Sequence, residues 1–169
     1  MECFNFFPKG KLRKLNPSHF ITMLQSLLHT DPSKATILIR VMVGAVFLSE
    51  GIQKFLFPDT LGIGRFIKIG IVYPELLAPF VGVVEIVAGL FILAGLLTRL
   101  ASLLLFITIC VAMITTKLPL LQNSFWIFAH ESRTDFSMFM GTLFLIIKGG
   151  GYWSMDFQRM RHGKRKPTR

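Results

Sequence analysis

The sequence predicts an all-α fold, a polytopic transmembrane four-helix bundle, and three observations predict it. Apolar residues fill 52% of the 169 positions and the mean hydropathy is +0.58, more apolar surface than a soluble domain of this size needs. Four apolar segments recur along the chain, each near the ~20 residues that cross a bilayer, the fourth being short. The positive charge is gathered at the two ends. Of 19 basic residues, 11 are Lys9, Lys11, Arg13, Lys14 and Lys34 at the front and Arg159, Arg161, Lys164, Arg165, Lys166 and Arg169 at the back. The net charge of +10 therefore reads as membrane orientation and attraction to anionic headgroups. Nucleic-acid binding would leave the apolar spans unexplained.

Residues 1–34 form a basic tail. Within it Pro17 and Ser18 would start a short helix through His29, with Phe20, Ile21, Leu24, Leu27 and Leu28 on one side. That pattern suggests a helix lying on the membrane surface; a poorly ordered tail is the alternative. The first residues, MECFNFFPKGKLRK, lack the continuous apolar stretch of a signal peptide, so the chain is expected to insert through its own spans. The membrane domain, 35–157, opens with a span over 35–57, closed by Pro58. The second covers 75–97 and the third 100–118, stopped by Pro119. The fourth covers 134–148 and ends at Gly149-Gly150-Gly151, with a start nearer Trp126 as the alternative. Residues 158–169 form a second basic tail. Only Thr98 and Arg99 separate spans two and three, which forces a tight hairpin. Two cytoplasmic tails require an even span count. Four spans satisfy it and put Arg99 inside, so the expected location is the inner (cytoplasmic) membrane with both termini cytoplasmic; Arg65 and Lys68 in the first outer loop weaken the asymmetry without reversing it.

Charges inside such spans cost at least ~2.5–3.5 kcal/mol near the bilayer centre, so they face protein or water. In the first span these are Arg40, Glu50 and Lys54, which fall within an arc of about 80° at 100° per residue. Gly44, Phe47 and Gly51 share that stripe, marking a packing face. Glu50 and Lys54 also form an i,i+4 pair in the favourable order. Counting ~1.5 Å per residue from the outer helix ends puts Glu50 and Glu85 at similar depth. The expectation is a mixed-charge core of Glu50, Lys54, Glu85 and Asp135 in the outer half of the bundle, with Gln53, His130 and Lys117 at its rim and Arg40 and Arg99 toward the inner side. Such a core would either specify helix packing or bind a polar ligand or proton.

Other chemistries find little support. GIGRFI at Gly62–Ile67 lacks a third glycine and follows no strand, which argues against a nucleotide site. His19, His29, His130 and His162 lie outside the span centres, against bis-histidine haem. Cys3 and Cys110 form neither a CxxC pair nor a metal-ligand spacing, and no nucleophilic triad can be assembled. Tyr73, Trp126, Tyr152 and Trp153 sit near span ends, where interfacial anchors belong.

Four motifs in order carry a resemblance. They are R-x3-G-x2-F-x3-G-x2-K (Arg40, Gly44, Phe47, Gly51, Lys54) and E-x3-G-x5-G-x3-R (Glu85, Gly89, Gly95, Arg99). Then come an acidic opening to the last span, Asp135, and GGGYWSMD over Gly149–Asp156. Over roughly residues 35–157 the chain resembles the DoxX family of small four-helix membrane proteins, related to DoxD. At the fourth span the family pattern has glutamate where this chain has Asp135. The resemblance implies a loose link to redox metabolism, through quinone or thiol chemistry or a redox protein partner, and singles out Arg40, Lys54, Glu85, Arg99, Asp135 and Asp156. Asp156, with Ser154 in the same turn, also reads as a local cap pairing Arg99 or Arg40. Quinone is the candidate ligand, with no cofactor motif in the sequence. Three functions follow as expectations. They are a quinone- or thiol-linked redox component, a non-enzymatic scaffold recruiting a redox partner, and a small-solute or proton pathway. Gly44, Gly51, Gly82 and Gly89 would serve packing within the chain or between copies in a homo-oligomer.

Overall fold

A computed structural model describes residues 33–122 and 124–163; the expected helix between Pro17 and His29 lies outside them. The described residues are helical, without a strand. Helix α1 spans Thr36–Leu56, a short α2 Ile63–Lys68, α3 Pro74–Ala94, α4 Thr98–Ala112, α5 Phe125–Lys148 and α6 Met155–Gly163. Three helical stretches, α1, α3 and the run Thr98–Gln122 that continues α4, are long and apolar enough to cross a membrane. Helix α5 has 24 residues, or ~36 Å, enough to cross as well; His130, Glu131, Arg133 and Asp135 crowd its first three turns.

Two boundaries differ from expectation. The third span passes Pro119 instead of stopping there. Its helix widens into a π-turn at Met113–Lys117 and tightens into a 3-10 turn at Leu118–Gln122. Pro119 then lies in the first turn of the new segment, where a missing N–H is tolerated. The hydroxyls of Thr115 and Thr116 donate to the carbonyls of Val111 and Ala112 at 2.8 and 2.7 Å, filling the widened stretch. The last long helix begins at Phe125, near the alternative start at Trp126, and so takes in the charges that resembled a loop.

The helices form an antiparallel bundle in which α1 packs on α3 and α5, and α4 on α3 and α5. The α1–α3 seam is the tightest. A Cβ on Gly44 would lie 3.0 Å from the Gly89 carbonyl oxygen, and one on Gly51 would lie 2.7 Å from that of Gly82. The four glycines thus serve packing inside the chain. Between the helices Val43, Phe47, Ile92, Leu105, Met138 and Leu145 form one buried apolar cluster.

This seam yields a graded expectation. In Gly51→Ala the new methyl meets backbone on the facing helix, the Gly82 oxygen and the Ile86 nitrogen at 3.0 Å. The helices must separate, at about 1–3 kcal/mol. In Gly82→Ala the nearest atoms belong to the Phe55 ring, at 2.8 Å, and that half-exposed side chain can swing aside. Thermal unfolding in detergent should therefore show a clear drop for Gly51→Ala and a smaller one for Gly82→Ala; equal drops would contradict this packing.

Candidate functional site

The ionisable residues gather at the two ends of the bundle, with the apolar cluster between them. At one end, Lys54 near the close of α1 reaches Glu85 on α3. The Nζ–Oε2 distance is 2.5 Å, with side-chain exposures of 12% and 5%. Close approach at Gly51 and Gly82, one turn away from each partner, brings the two backbones near enough for this contact. Helix α2 packs on α3 at this end and buries Phe66. Its Arg65, together with Glu50, supplies the next charges that act on Glu85.

The expected four-member core does not assemble. Glu50 is exposed. The observed packing stripe is centred on Arg40, Gly44, Phe47 and Gly51, and Glu50 lies about 100° around the helix from Gly51. Gln53 is spent along its own helix, donating to Ser49 Oγ at 2.8 Å. Asp135 is not joined to Lys54 but faces Lys117, at 3.6 Å, on the α4–α5 seam. Glu131 approaches the same ammonium at 3.9 Å. The charges therefore form two separate groups on opposite seams. Glu131 went unnoticed in the sequence, although its i,i+4 spacing to Asp135 was there to read. Ser102 and Ser132 were also passed over; each is buried, and its hydroxyl has no hydrogen-bond partner among the described residues.

The opposite end is built around Arg40, which is 2% exposed. Its Nε donates to the Ile92 carbonyl at 2.8 Å and its Nη2 to Leu93 at 2.6 Å. Its Nη1 donates to Trp153 at 2.9 Å and Gly150 at 3.2 Å. Ile92 and Leu93 are last-turn carbonyls of α3, which lack partners within the helix and attract a cation. Gly95, at φ +70°, closes α3 here, with the N–H of Gly95 on Ile92 and that of Leu96 on Phe91.

Asp156 performs the mirror task on the next helix. Its Oδ1 accepts the Leu97 N–H at 2.8 Å, and its Oδ2 accepts the N–H and hydroxyl of Thr98, each at 2.9 Å. A carboxylate thus caps the start of α4, where the helix dipole favours an anion. It also holds Leu97 at φ +46°, a conformation that strains a non-glycine residue by ~1–3 kcal/mol. The expected cap is long-range rather than local: Asp156 caps a helix 58 residues away, its carboxylate hydrogen-bonds with backbone and Thr98, and its charge acts on Arg40. Ser154 holds the turn by donating to the Gly151 carbonyl at 2.7 Å and accepting the Phe157 N–H at 3.1 Å. Arg99 stands beside this clasp and donates to the Ile147 carbonyl at 2.8 Å.

The two ends differ in what they can do. The Arg40–Asp156 end satisfies backbone and locks the α3–α4 turn. The Lys54–Glu85 end offers an ammonium donor and a carboxylate acceptor in contact, in a setting that strengthens their action on a third group. A conduit from Asp135 to Arg99 would have to traverse the layer of Leu105, Ile109, Met138 and Leu145. Among the described residues no group of three or more metal-ligating side chains comes together.

Comparison with known proteins agrees with this architecture. The DoxX family model matches residues 35–118. The chain is 50% identical over 137 residues to "Uncharacterized membrane protein Rv3486" of Mycobacterium tuberculosis, covering 77% of this chain and 84% of that protein. It is 28% identical over 123 residues to "Putative oxidoreductase CatD" of Bacillus subtilis, covering 72% of this chain and 84% of that one. No solved structure matches the chain.

Proposed function

Because the chain belongs to the DoxX family of multi-pass membrane proteins, we propose that it is the membrane component of a redox system, with the Lys54–Glu85 pair as its polar site. The observation that carries this reading is a buried ion pair that closes no helix end and satisfies no backbone group, unlike the clasp at the other end. The similarity to a protein named as an oxidoreductase supports the same class. The substrate is a quinone-type carrier dissolved in the bilayer. A dithiol that closes to a disulfide, or a reduced flavin that is reoxidised, in a partner protein supplies two electrons, and both quinone carbonyls become hydroxyls with the uptake of two protons. Lys54 donates a hydrogen bond to one carbonyl oxygen, Glu85 relays one proton to it, and the second proton comes from the donor's own dithiol or dihydroflavin. The Arg40 end, which carries Lys34, Arg99, Lys148, Arg159 and Arg161, faces the cytoplasm, so the pair lies toward the outer face of the inner membrane.

The test is the double variant Lys54→Met, Glu85→Gln, which removes both charges while keeping side-chain volume. Membranes carrying it should show the thiol-driven reduction of added quinone lowered by roughly 100-fold, the scale of a lost acid–base group, with unchanged protein content. Wild-type rates in the double variant would remove the proposal. They would favour a scaffold that recruits a redox enzyme, a reading consistent with the tightly packed apolar centre of the bundle.

A further inference from the structure

Helices α3 and α4 leave a crevice of about 230 Å³ between them, opening sideways. Its walls are apolar throughout and include Val83, Val87, Phe91, Leu97, Leu100 and Leu104. Val83, Val87, Leu100 and Leu104 are exposed, so in a membrane the crevice opens into hydrocarbon. From Val83 to Phe91 it runs ~12 Å along α3 at 1.5 Å per residue, close to the ~15 Å that one leaflet contributes to a ~30 Å core.

Its far end is Leu97, the residue whose N–H is held by Asp156. Helix α6 therefore starts directly at the closed end of the crevice. The one carboxylate of α6 is consumed by capping α4, and the charge it presents outward is cationic. Arg159 and Arg161 are exposed, the latter 6.0 Å from the Phe157 ring centroid. Trp153 and Met155 are exposed beside them, at the level where aromatic residues meet headgroups.

We propose that the crevice and α6 together seat one anionic phospholipid, with an acyl chain along the α3–α4 crevice and the phosphate against Arg159, which follows Asp156 by about one helical turn on the same face. The crevice alone accepts any acyl chain; Arg159 selects the charged headgroup, and Arg161, about 200° around the helix from it, adds to the local positive potential. This site is separate from the Lys54–Glu85 pair and stands whether or not that pair handles a quinone.

The full chain in mixed micelles would be exposed to phosphatidylglycerol or phosphatidylcholine, each with a photoactivatable acyl chain, and the labelled peptides mapped. Phosphatidylglycerol should label residues 83–104 roughly tenfold more than phosphatidylcholine, as one or two cationic side chains allow, and the excess should fall with salt. Arg159→Gln with Arg161→Gln should bring phosphatidylglycerol down to the phosphatidylcholine level. Val87→Phe, at a lipid-facing position that tolerates bulk, should reduce labelling by both lipids. Equal labelling of the wild-type chain by the two lipids would overturn the proposal, as would full selectivity in the double arginine variant. So would displacement of the label by millimolar inorganic phosphate together with no effect of Val87→Phe, which marks a site for a soluble anion.

Discussion

Replacing Arg40 with methionine should destabilise the protein by roughly 3–5 kcal/mol, because it takes the guanidinium donor from buried and half-buried carbonyl oxygens at ~1–3 kcal/mol each. Four carbonyls are involved: Leu93, Gly150 and Trp153 lose the arginine as donor, and Ile92 keeps only the Gly95 N–H. They belong to two segments, the end of α3 and the turn before α6, which are otherwise joined by the Asp156 N–H on the Gly95 carbonyl at 3.0 Å and by the Asp156 carboxylate on Leu97 and Thr98. For a chain of this length such a loss corresponds to a fall in melting temperature of roughly 10 °C. Arg40→Lys should recover part of it, since an ammonium keeps the charge but cannot spread its donors over so wide a set of acceptors. Thermal unfolding in detergent, followed by tryptophan fluorescence, reads both. Trp153 contributes its carbonyl to the clasp, and its exposed ring senses the clasp's opening from its edge. A methionine variant that melts with the wild type would show that Arg40 does not hold this end closed.

The second large effect concerns the Lys54–Glu85 pair and is asymmetric. Lys54→Met strands a carboxylate that is 5% exposed, and breaking a buried pair from one side costs about 3–5 kcal/mol. Glu85→Gln strands an ammonium that is 12% exposed, and the flexible lysine stem can carry it outward to polar surroundings. The lysine variant should therefore lose more than the glutamate variant, and the double variant less than the sum. The coupling should reach on the order of 1–3 kcal/mol for groups in contact. Equal single losses that add without coupling would mean the two side chains do not meet. This cycle reads stability alone, so it separates the existence of the pair from its proposed use in quinone chemistry.

Much of this was legible in the residues, for reasons that can be stated. The stripe of Arg40, Gly44, Phe47 and Gly51 gave the packing face of α1, because a helix has a fixed angular period and charge and glycine both avoid lipid. Depth counting along antiparallel spans matched Glu50 with Glu85, and it is Lys54, one turn further on, that reaches Glu85. The angular count kept Glu50 in the core wrongly, since an 80° arc is wider than the strip that a neighbouring helix covers. It failed for Asp135 because the order of helices around a bundle is not written in any one of them; the α4–α5 seam gave Asp135 to Lys117 instead. The role of Asp156 was out of reach for a different reason. Capping rules operate over three or four residues, whereas this carboxylate caps a helix that begins 58 residues before it. The start of α5 was read only as the alternative near Trp126, because charged residues near a helix terminus look like a loop until the partner that holds them, here Lys117, is known.

The capping of α4 by Asp156 orders events during synthesis. The hairpin of the second and third spans can enter the bilayer as soon as the ribosome has made it, yet the group that finishes its turn is encoded 58 residues later. Until that stretch emerges and folds back, the N–H groups of Leu97 and Thr98 wait without their carboxylate. Maturation of the hairpin is thereby tied to synthesis of the segment that carries Asp156, and a product terminated before it would reach the membrane unsealed, in a form that quality-control proteases can recognise.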